Sequence, residues 1–427
     1  MKNLIHTAVV TLFAASAVFM SFVAPVVAAQ SITDLGVLPI PPGYSCGVWA
    51  NSVGDDGVVV GDFYVWSKEM GDFSQSAFIW SSSHGMARLI DDPGVTYSRG
   101  YGISGDGKVA VGSCGSSAFR WTAQSGPQIL ALPDGACEAL ALRCNLDGSV
   151  IVGTAFLQGT ENGFGYSRAY AWRVSAGIQL LPLLGGFPDS QAEGVSGDGH
   201  VCVGNASSEA GLYRAFRWSE QGGLSDLGTL PGGDESSAEA VNADGSVIAG
   251  IGCCDSDGRA VGMRWTPASG WQSIGSLPGF QYIYVRAVSG DGSMIVGDCG
   301  GKGLEDVGFI WQEGFGMTRL DQFLTARGVD LQGWTNLGEV GAISANGRFI
   351  VGGGTNRGQD RAFIADLWAP CPADVTADRR VDGADIGEML SEWGPANANT
   401  VSDINGDGLV NGADLGIVLA FWGPCPN

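Results

Sequence analysis

The chain has 427 residues, 69 of them glycine, and 44 acidic against 22 basic side chains, for a formal charge of −22. Glycine at about 16%, over twice the usual share and without a collagen period, together with 45% apolar residues, points to a packed, turn-rich protein rather than a disordered one. So few cations exclude nucleic acid as a partner, and three histidines (His6, His84, His200) exclude a histidine-rich metal site.

Lys2 precedes an apolar run from Thr7 to Val23, and small residues up to Ala28 and Ala29 follow Pro25. This pattern predicts an export signal over residues 1–29 and a secreted, extracellular or bacterial cell-surface protein. The alternative is an uncleaved anchor, so a membrane would be met only through this segment. Ten cysteines follow: 46, 114, 137, 144, 202, 253, 254, 299, 371 and 425. An even number in an oxidising compartment favours disulfides. Cys371 and Cys425 bracket the last segment and are the pair expected to join. Several others could instead be buried thiols, Cys202 first among them because it sits in an apolar strand.

From there to about residue 368 a repeat runs. Asp56-Gly57, Asp106-Gly107, Asp147-Gly148, Asp198-Gly199, Asp244-Gly245, Asp291-Gly292 and Asn346-Gly347 recur at spacings of 50, 41, 51, 46, 47 and 55. A short segment such as Ala287-Val288-Ser289 precedes each turn, and an apolar run ending in glycine, such as Ser246 to Gly250, follows it. Strand-forming runs around Asp-Gly predict a tight hairpin. A third strand alternates as in Ala215-Phe216-Arg217-Trp218, and a fourth follows a glycine turn, as in Gly223 to Gly228. Four short strands per unit of about 47 residues predict propeller blades, and there are seven units.

The seventh unit lacks a fourth strand after Ala362-Phe363-Ile364. Near the N-terminus, Asp34-Leu35-Gly36-Val37-Leu38-Pro39 matches the fourth-strand segment Asp226-Leu227-Gly228-Thr229-Leu230-Pro231. The fold expected for residues 30–368 is therefore mainly β, a seven-bladed β-propeller closed by its N-terminal strand, which removes an open edge. The arginines near the third strands (Arg168, Arg214, Arg259, Arg361) are expected to pair with turn aspartates. The repeats resemble the HAF family of bacterial extracellular repeats, best at Arg214 to Trp218 and Asp226 to Pro231. That resemblance implies an exported repeat protein without assigning an activity.

The pattern changes over residues 371–427. Asp403, Asn405, Asp407, Asn411 and Asp414 occupy positions 1, 3, 5, 9 and 12 of a twelve-residue loop, with glycine at 6 and the Leu409 carbonyl at 7. Six to eight oxygens on a turning backbone are what calcium requires. Asp374, Thr376, Asp378, Arg380 (through its carbonyl), Asp382 and Asp385 repeat the design, with Arg379 in place of the glycine, so of two Ca2+ sites the second is expected to be the stronger. Each loop leads into a short helix ending Trp-Gly-Pro. These two halves resemble a dockerin, a small α-helical domain with two EF-hand-like calcium loops. The resemblance implies a cohesin-like partner, recognised through loop positions 10 and 11. Here those positions are Gly383-Ala384 and Gly412-Ala413, not the usual Ser-Thr-like pair, so a cell-envelope protein stays open as the partner. The segment carries nine acids and two arginines, a charge of −7 that calcium would relieve.

No P-loop, nucleotide fingerprint or elbow serine appears, and His84 and His200 flank turns. Paired carboxylates for polysaccharide chemistry remain open among Asp189, Glu193, Asp234, Glu235, Glu239, Asp255, Asp257, Glu305 and Asp306, which read as inter-strand loop residues. The repeat tryptophans read as blade core, whereas Trp66 and Trp334 lie outside the repeat and are the candidates for a ligand platform, or else buried anchors. The expected function is a non-catalytic binding or scaffold propeller attached through a calcium-dependent module, possible ligand polysaccharide. The alternatives are a polysaccharide-acting hydrolase or lyase on the same propeller, and a structural protein of the cell surface.

Overall fold

The computed structural model describes residues 30–67, 69, 71–92, 94–158, 165–253, 259–368, 371, 373–376, 378, 380–396 and 400–425. The expected signal segment, Arg379 and Cys254 lie outside them. Among the described residues no helix is long and apolar enough to cross a membrane. Two units form, one over residues 29–368 and one over the C-terminal residues from 369.

Seven antiparallel sheets make the larger unit a seven-bladed β-propeller. Blades 1 to 6 span residues 45–88, 98–129, 136–180, 189–226, 236–275 and 282–319, four strands each in simple meander order. Blade 7 takes its outermost strand from the chain's start: Ser31–Asp34 pairs antiparallel with Gln359–Asp366, with Asp34 opposite Phe363. That pairing matches Asp226 opposite Phe216 inside blade 4. The closing strand is Ser31–Asp34, just ahead of the Leu-Gly-x-Leu segment that marks it in the sequence. Blade 7 also departs from the others at its inner strand, which is split into Trp334–Asn336 and Val340–Ile343. A short helix not anticipated from the sequence, Leu320–Ala326, precedes it and buries Leu320, Phe323 and Leu324. It accounts for the longest repeat spacing.

One local device recurs in every blade. The second strand carries a glycine (Gly61, Gly112, Gly153, Gly204, Gly250, Gly297, Gly352) where an added Cβ would lie between 1.9 and 2.4 Å from a carbonyl oxygen of the first strand. On the other side the same glycine pairs with the third-strand residue Phe78, Phe119, Tyr170, Phe216, Met263, Phe309 or Phe363, each fully buried. Next to this contact the first strand slips register by one residue, a bulge, at Asn51, Tyr101, Leu142, Glu193, Glu239, Arg286 and Gly341.

The hairpin turns are tied from within. Ser104 Oγ accepts from the Val109 amide at 2.9 Å and donates to Asp106 at 2.7 Å, and Ser196, Ser289 and Ser344 do the same in their blades. Asn145 and Asn242 take the serine's place in blades 3 and 5. Between blades the turns join around the axis: Asp55 N to Gly105 O, Leu146 N to Gly197 O, Asp198 N to Ala243 O, Ala243 N to Gly290 O and Gly290 N to Ala345 O. Asn346 then returns to Asp55 across the closure at 2.7 Å.

The apolar core is correspondingly divided. Seven clusters fill the seven junctions between neighbouring blades, including the one where Val48 and Phe63 of blade 1 meet Ala342 and Val351 of blade 7. The repeat tryptophans belong to these junctions, Trp80 buried and Trp121, Trp172, Trp218, Trp265 and Trp311 half-buried. Of the two readings of Trp334, ligand platform or buried anchor, the structure fits the anchor: it is 7% exposed and packs edge-on against Phe363. Cysteine use is a correction. Cys46, Cys114, Cys137, Cys144, Cys202 and Cys299 are free thiols, because the strands that carry them belong mostly to different blades and cannot meet at disulfide distance.

The C-terminal unit is built from two similar halves. Helix Gly383–Ser391 and helix Gly412–Ala420 each follow a loop, and each loop's two-residue strand pairs with the Gly-Pro beyond the other helix. Thus Arg380–Val381 joins Gly423–Pro424, and Leu409–Val410 joins Gly394–Pro395. Ala373, Val381, Met389, Val410 and Val418 form its core, and Cys371 and Cys425 are joined by a disulfide.

Gly204→Ala is expected to cost about 2–3 kcal/mol and lower the thermal midpoint by several degrees, because the methyl cannot share space with the Gln191 carbonyl. Gly185→Ala, where nothing lies within 4 Å, is expected to leave the midpoint unchanged in the same scan.

Candidate functional site

The bulge turns one residue of each inner strand toward the propeller axis, so seven equivalent positions write the wall of an axial channel. They read Asn51, Tyr101, Leu142, Glu193, Glu239, Arg286 and Gly341 around the ring. Glu193 and Glu239, read from the sequence as loop residues, are in fact on the inner strands of adjacent blades. Asp255 and Asp257 lie outside the described residues, and none of the other candidate carboxylates lines the channel with them. Glu305 and Asp306 line a cleft with Asp360 that adjoins the channel mouth at Trp49 and Glu339, and Asp189 accepts from the amide of Ser167 at 2.6 Å.

The channel has a wide mouth of about 490 Å³ bounded by Trp49, Asn51, Tyr64, Arg99, Tyr101 and Glu339 among others. Beyond Arg143, Glu193 and Arg286, which border both parts, lies a second part of about 140 Å³, where Glu239 adds to the wall. Two ion pairs stiffen the mouth. Buried Asp62 accepts from Arg99 at 3.0 Å, Asn51 at 3.0 Å and the Gly100 amide at 3.0 Å, which ties blade 1 to blade 2. In blade 6, Arg286 Nε reaches buried Asp298 at 3.2 Å. Arg143 spends Nη1 on the carbonyls of Tyr101 and Leu142 at 3.2 and 2.9 Å.

Burial pushes the Glu193 carboxyl up to about 7, with the Glu239 charge adding to the shift and Arg143 and Arg286 opposing it. Glu239 is also raised by burial, restrained by the Ser237 hydroxyl at 2.5 Å. Burial carries Asp298 to about 6 despite Arg286. Near neutral pH Glu193 is therefore partly protonated, and Glu239 beside it holds a proton more readily than a free glutamate does.

The sequence-predicted loops form the second candidate centre. Asp403 accepts the amides of Asp407 and Gly408 at 3.1 and 2.9 Å, a turn that Gly408 makes at φ +88°. Asp407 accepts from the Leu409 amide, and buried Asp414 from the amides of Ile404, Asn405 and Asn411. In the first loop Asp374 accepts from Asp378 N, Asp378 from Arg380 N, and buried Asp385 from Thr376 N, Thr376 Oγ1 and Asp382 N. Asp382–Asp385 and Asn411–Asp414 close capping boxes on the two helices. Among the described residues the trio of potential ligand atoms within 4.8 Å is Cys371, Asp374 and Cys425, and its sulfurs are spent in the disulfide. Gly383-Ala384 and Gly412-Ala413 are exposed on the first turns of the helices.

Other sequence candidates resolve differently. Trp66 ends the second strand of blade 1, half-buried and outside the channel wall. His84 and His200 are exposed in turns. Arg168 donates to the Leu181 carbonyl at 2.7 Å and Arg361 lies 3.7 Å from Asp34, so neither pairs with a hairpin aspartate. Those aspartates are held by their own turns: the Ser246 hydroxyl and amide keep Asp244 below the usual carboxylate range.

No family model matches the chain, and no curated protein matches it in sequence. Solved structures do. An oligogalacturonate lyase from Vibrio parahaemolyticus superposes with a TM-score of 0.52 at 14% identity, over 79% of this chain and 93% of that one. An oligogalacturonate lyase in complex with manganese gives 0.51 at 14% identity, over 79% and 93%. A prolyl endopeptidase gives 0.52 at 12% identity, over 75% of this chain and 50% of that one. At such identities the likeness is one of fold: these are propeller proteins of diverse activity.

A carboxyl held at about 7 in the fold and near 4.5 in the open chain favours folding below about pH 4.5 and loses that contribution as pH rises through 7. Glu193→Gln is accordingly expected to raise the thermal midpoint at pH 8 and to leave it unchanged at pH 4.5. Equal effects at both values would contradict the placement of Glu193.

Proposed function

We propose that this chain is an exported, non-catalytic binding or scaffold propeller, attached to a protein partner by a calcium-dependent dockerin-like module. The observation that carries the reading is the duplicated C-terminal loop, whose crossed strand pairing and paired capping boxes give both halves one architecture. The donor chemistry fits calcium: Asp403, Asn405, Asp407, the Leu409 carbonyl, Asn411 and Asp414 would hold one ion, and Asp374, Thr376, Asp378, the Arg380 carbonyl, Asp382 and Asp385 a weaker one. Bound calcium would offset the charge of −7 and so stabilise the small unit. Gly383-Ala384 and Gly412-Ala413 stand exposed where such modules meet a cohesin-like partner, and a cell-envelope protein is the other partner class. The HAF-like repeats and the signal-like N-terminus support export, and polysaccharide is the ligand class in keeping with this architecture.

A second reading, a propeller enzyme acting on polysaccharide, draws on one observation: Glu193 and Glu239 stand on neighbouring blades with raised affinity for protons.

Calcium added to the full chain is expected to bind in two events and to raise the first thermal transition relative to chelator. Asp403→Ala is expected to remove the tighter event and Asp374→Ala the weaker one, read by titration calorimetry. Two events untouched by either variant would sink the reading.

A further inference from the structure

We infer that the axial channel is a binding site for the terminal residue of an uncharged oligosaccharide, entering end-on from the wide mouth. The inference deepens the binding role proposed above and rests on it. It starts from how unevenly the ring is used. Leu142 and Gly341 bring no charge, and Gly341 leaves its side of the wall without a side chain, a vacancy no residue can fill because a Cβ there would lie 2.0 Å from the Ala50 carbonyl. From blade 3 round to blade 6 the wall presents Arg143, Glu193, Glu239 and Arg286 in succession.

Their hydrogen-bonding capacity is largely unspent. Among the described residues no hydrogen bond reaches the Glu193 carboxylate, and Glu239 receives only the Ser237 hydroxyl. Arg143 uses Nη1 alone, on backbone carbonyls, and Arg286 uses Nε on Asp298. Two neighbouring acceptors are therefore flanked by two forked donors along one side of the channel.

Charge decides which guest this suits. A metal ion between the glutamates would face two guanidinium groups, and an anion on the arginines would face two carboxylates. A neutral ligand that both donates and accepts meets neither penalty, and adjacent hydroxyls on a sugar ring are that ligand: each accepts from a guanidinium fork and donates to a carboxylate. Above them Trp49, Tyr64 and Tyr101 border the mouth, Trp49 and Tyr64 edge-on at 4.8 Å, and offer apolar ring faces to a sugar's C–H face. Free volume is larger at the mouth, about 490 Å³, than beyond Arg143, Glu193 and Arg286, about 140 Å³, so the mouth has room for the sugar chain and its end is seated at that level.

The test uses the full, calcium-loaded chain in titration calorimetry. The probes are neutral gluco-, xylo- and manno-oligosaccharides, their cyclic or uronate counterparts, and calcium or manganese alone. The expected result is one linear neutral series binding once per chain, with affinity insensitive to salt, levelling off with length, and absent for the cyclic form. Glu193→Gln and Glu239→Gln are each expected to weaken it by about tenfold or more, with circular dichroism and calcium binding unchanged. If either fails to fold, Arg143→Lys, which keeps the charge and loses the fork, is expected to give the same loss. The inference is overturned by binding that survives these variants, by preference for the uronates, by equal binding of cyclic sugars, by a metal ion competing at the glutamates, or by no oligosaccharide binding. Such a failure leaves the calcium titration intact, so the two readings fall separately.

Discussion

The structure hangs on a backbone contact too close for any side chain. In each blade a second-strand glycine passes directly beside a carbonyl of the first strand and pairs on its other side with a large buried third-strand residue, aromatic in every blade but the fifth, where it is Met263. The contact forces the neighbouring residue of the first strand out of register, and the bulge in turn sets which side chain reaches the axis. Position in the blade, rather than residue chemistry, thus selects the channel wall. The scaffold repeats sevenfold, while the wall it exposes is free to differ at every blade.

That separation explains what could be read beforehand. Blade number, hairpin turns and closure by an N-terminal strand depend on glycines, aromatics and Ser-x-Asp-Gly turns, whose identities recur because sterics and turn bonding leave little choice. The bulge residue varies from Asn51 to Gly341 because it only has to reach the channel, so its identity carries no signal; its position does, five residues before the turn Asp or Asn in every blade, but only once the bulge is known. Glu193 and Glu239 looked like two loop acids among nine. Trp334, outside the repeat, read either as a ligand platform or as a buried anchor, and the split inner strand of blade 7 draws it against Phe363. The helix Leu320–Ala326 escaped notice since seven residues carry too short a periodic signal.

Electrostatics divides along the same line. At the hairpins, aspartates accept from serine hydroxyls and turn amides, which favours their ionised form, as at Asp147 and Asp244. Along the axis, burial favours the protonated form of Glu193, Glu239 and Asp298. One population of acids binds the fold together more firmly as pH rises, and the other does so as it falls. Within the large negative charge, two populations of acids thus carry opposite tasks, apart from the loop acids of the C-terminal unit.

The pairing of Asp34 with Phe363 has a kinetic corollary. During synthesis the strand Ser31–Asp34 appears first, yet its partner is made only after six whole blades. Each intermediate on the way carries an unsatisfied strand at both extremities, and the longest loop in the molecule closes last. The ring is a clasp that cannot be fastened early, so a nascent chain depends on not meeting another copy before its own two ends meet.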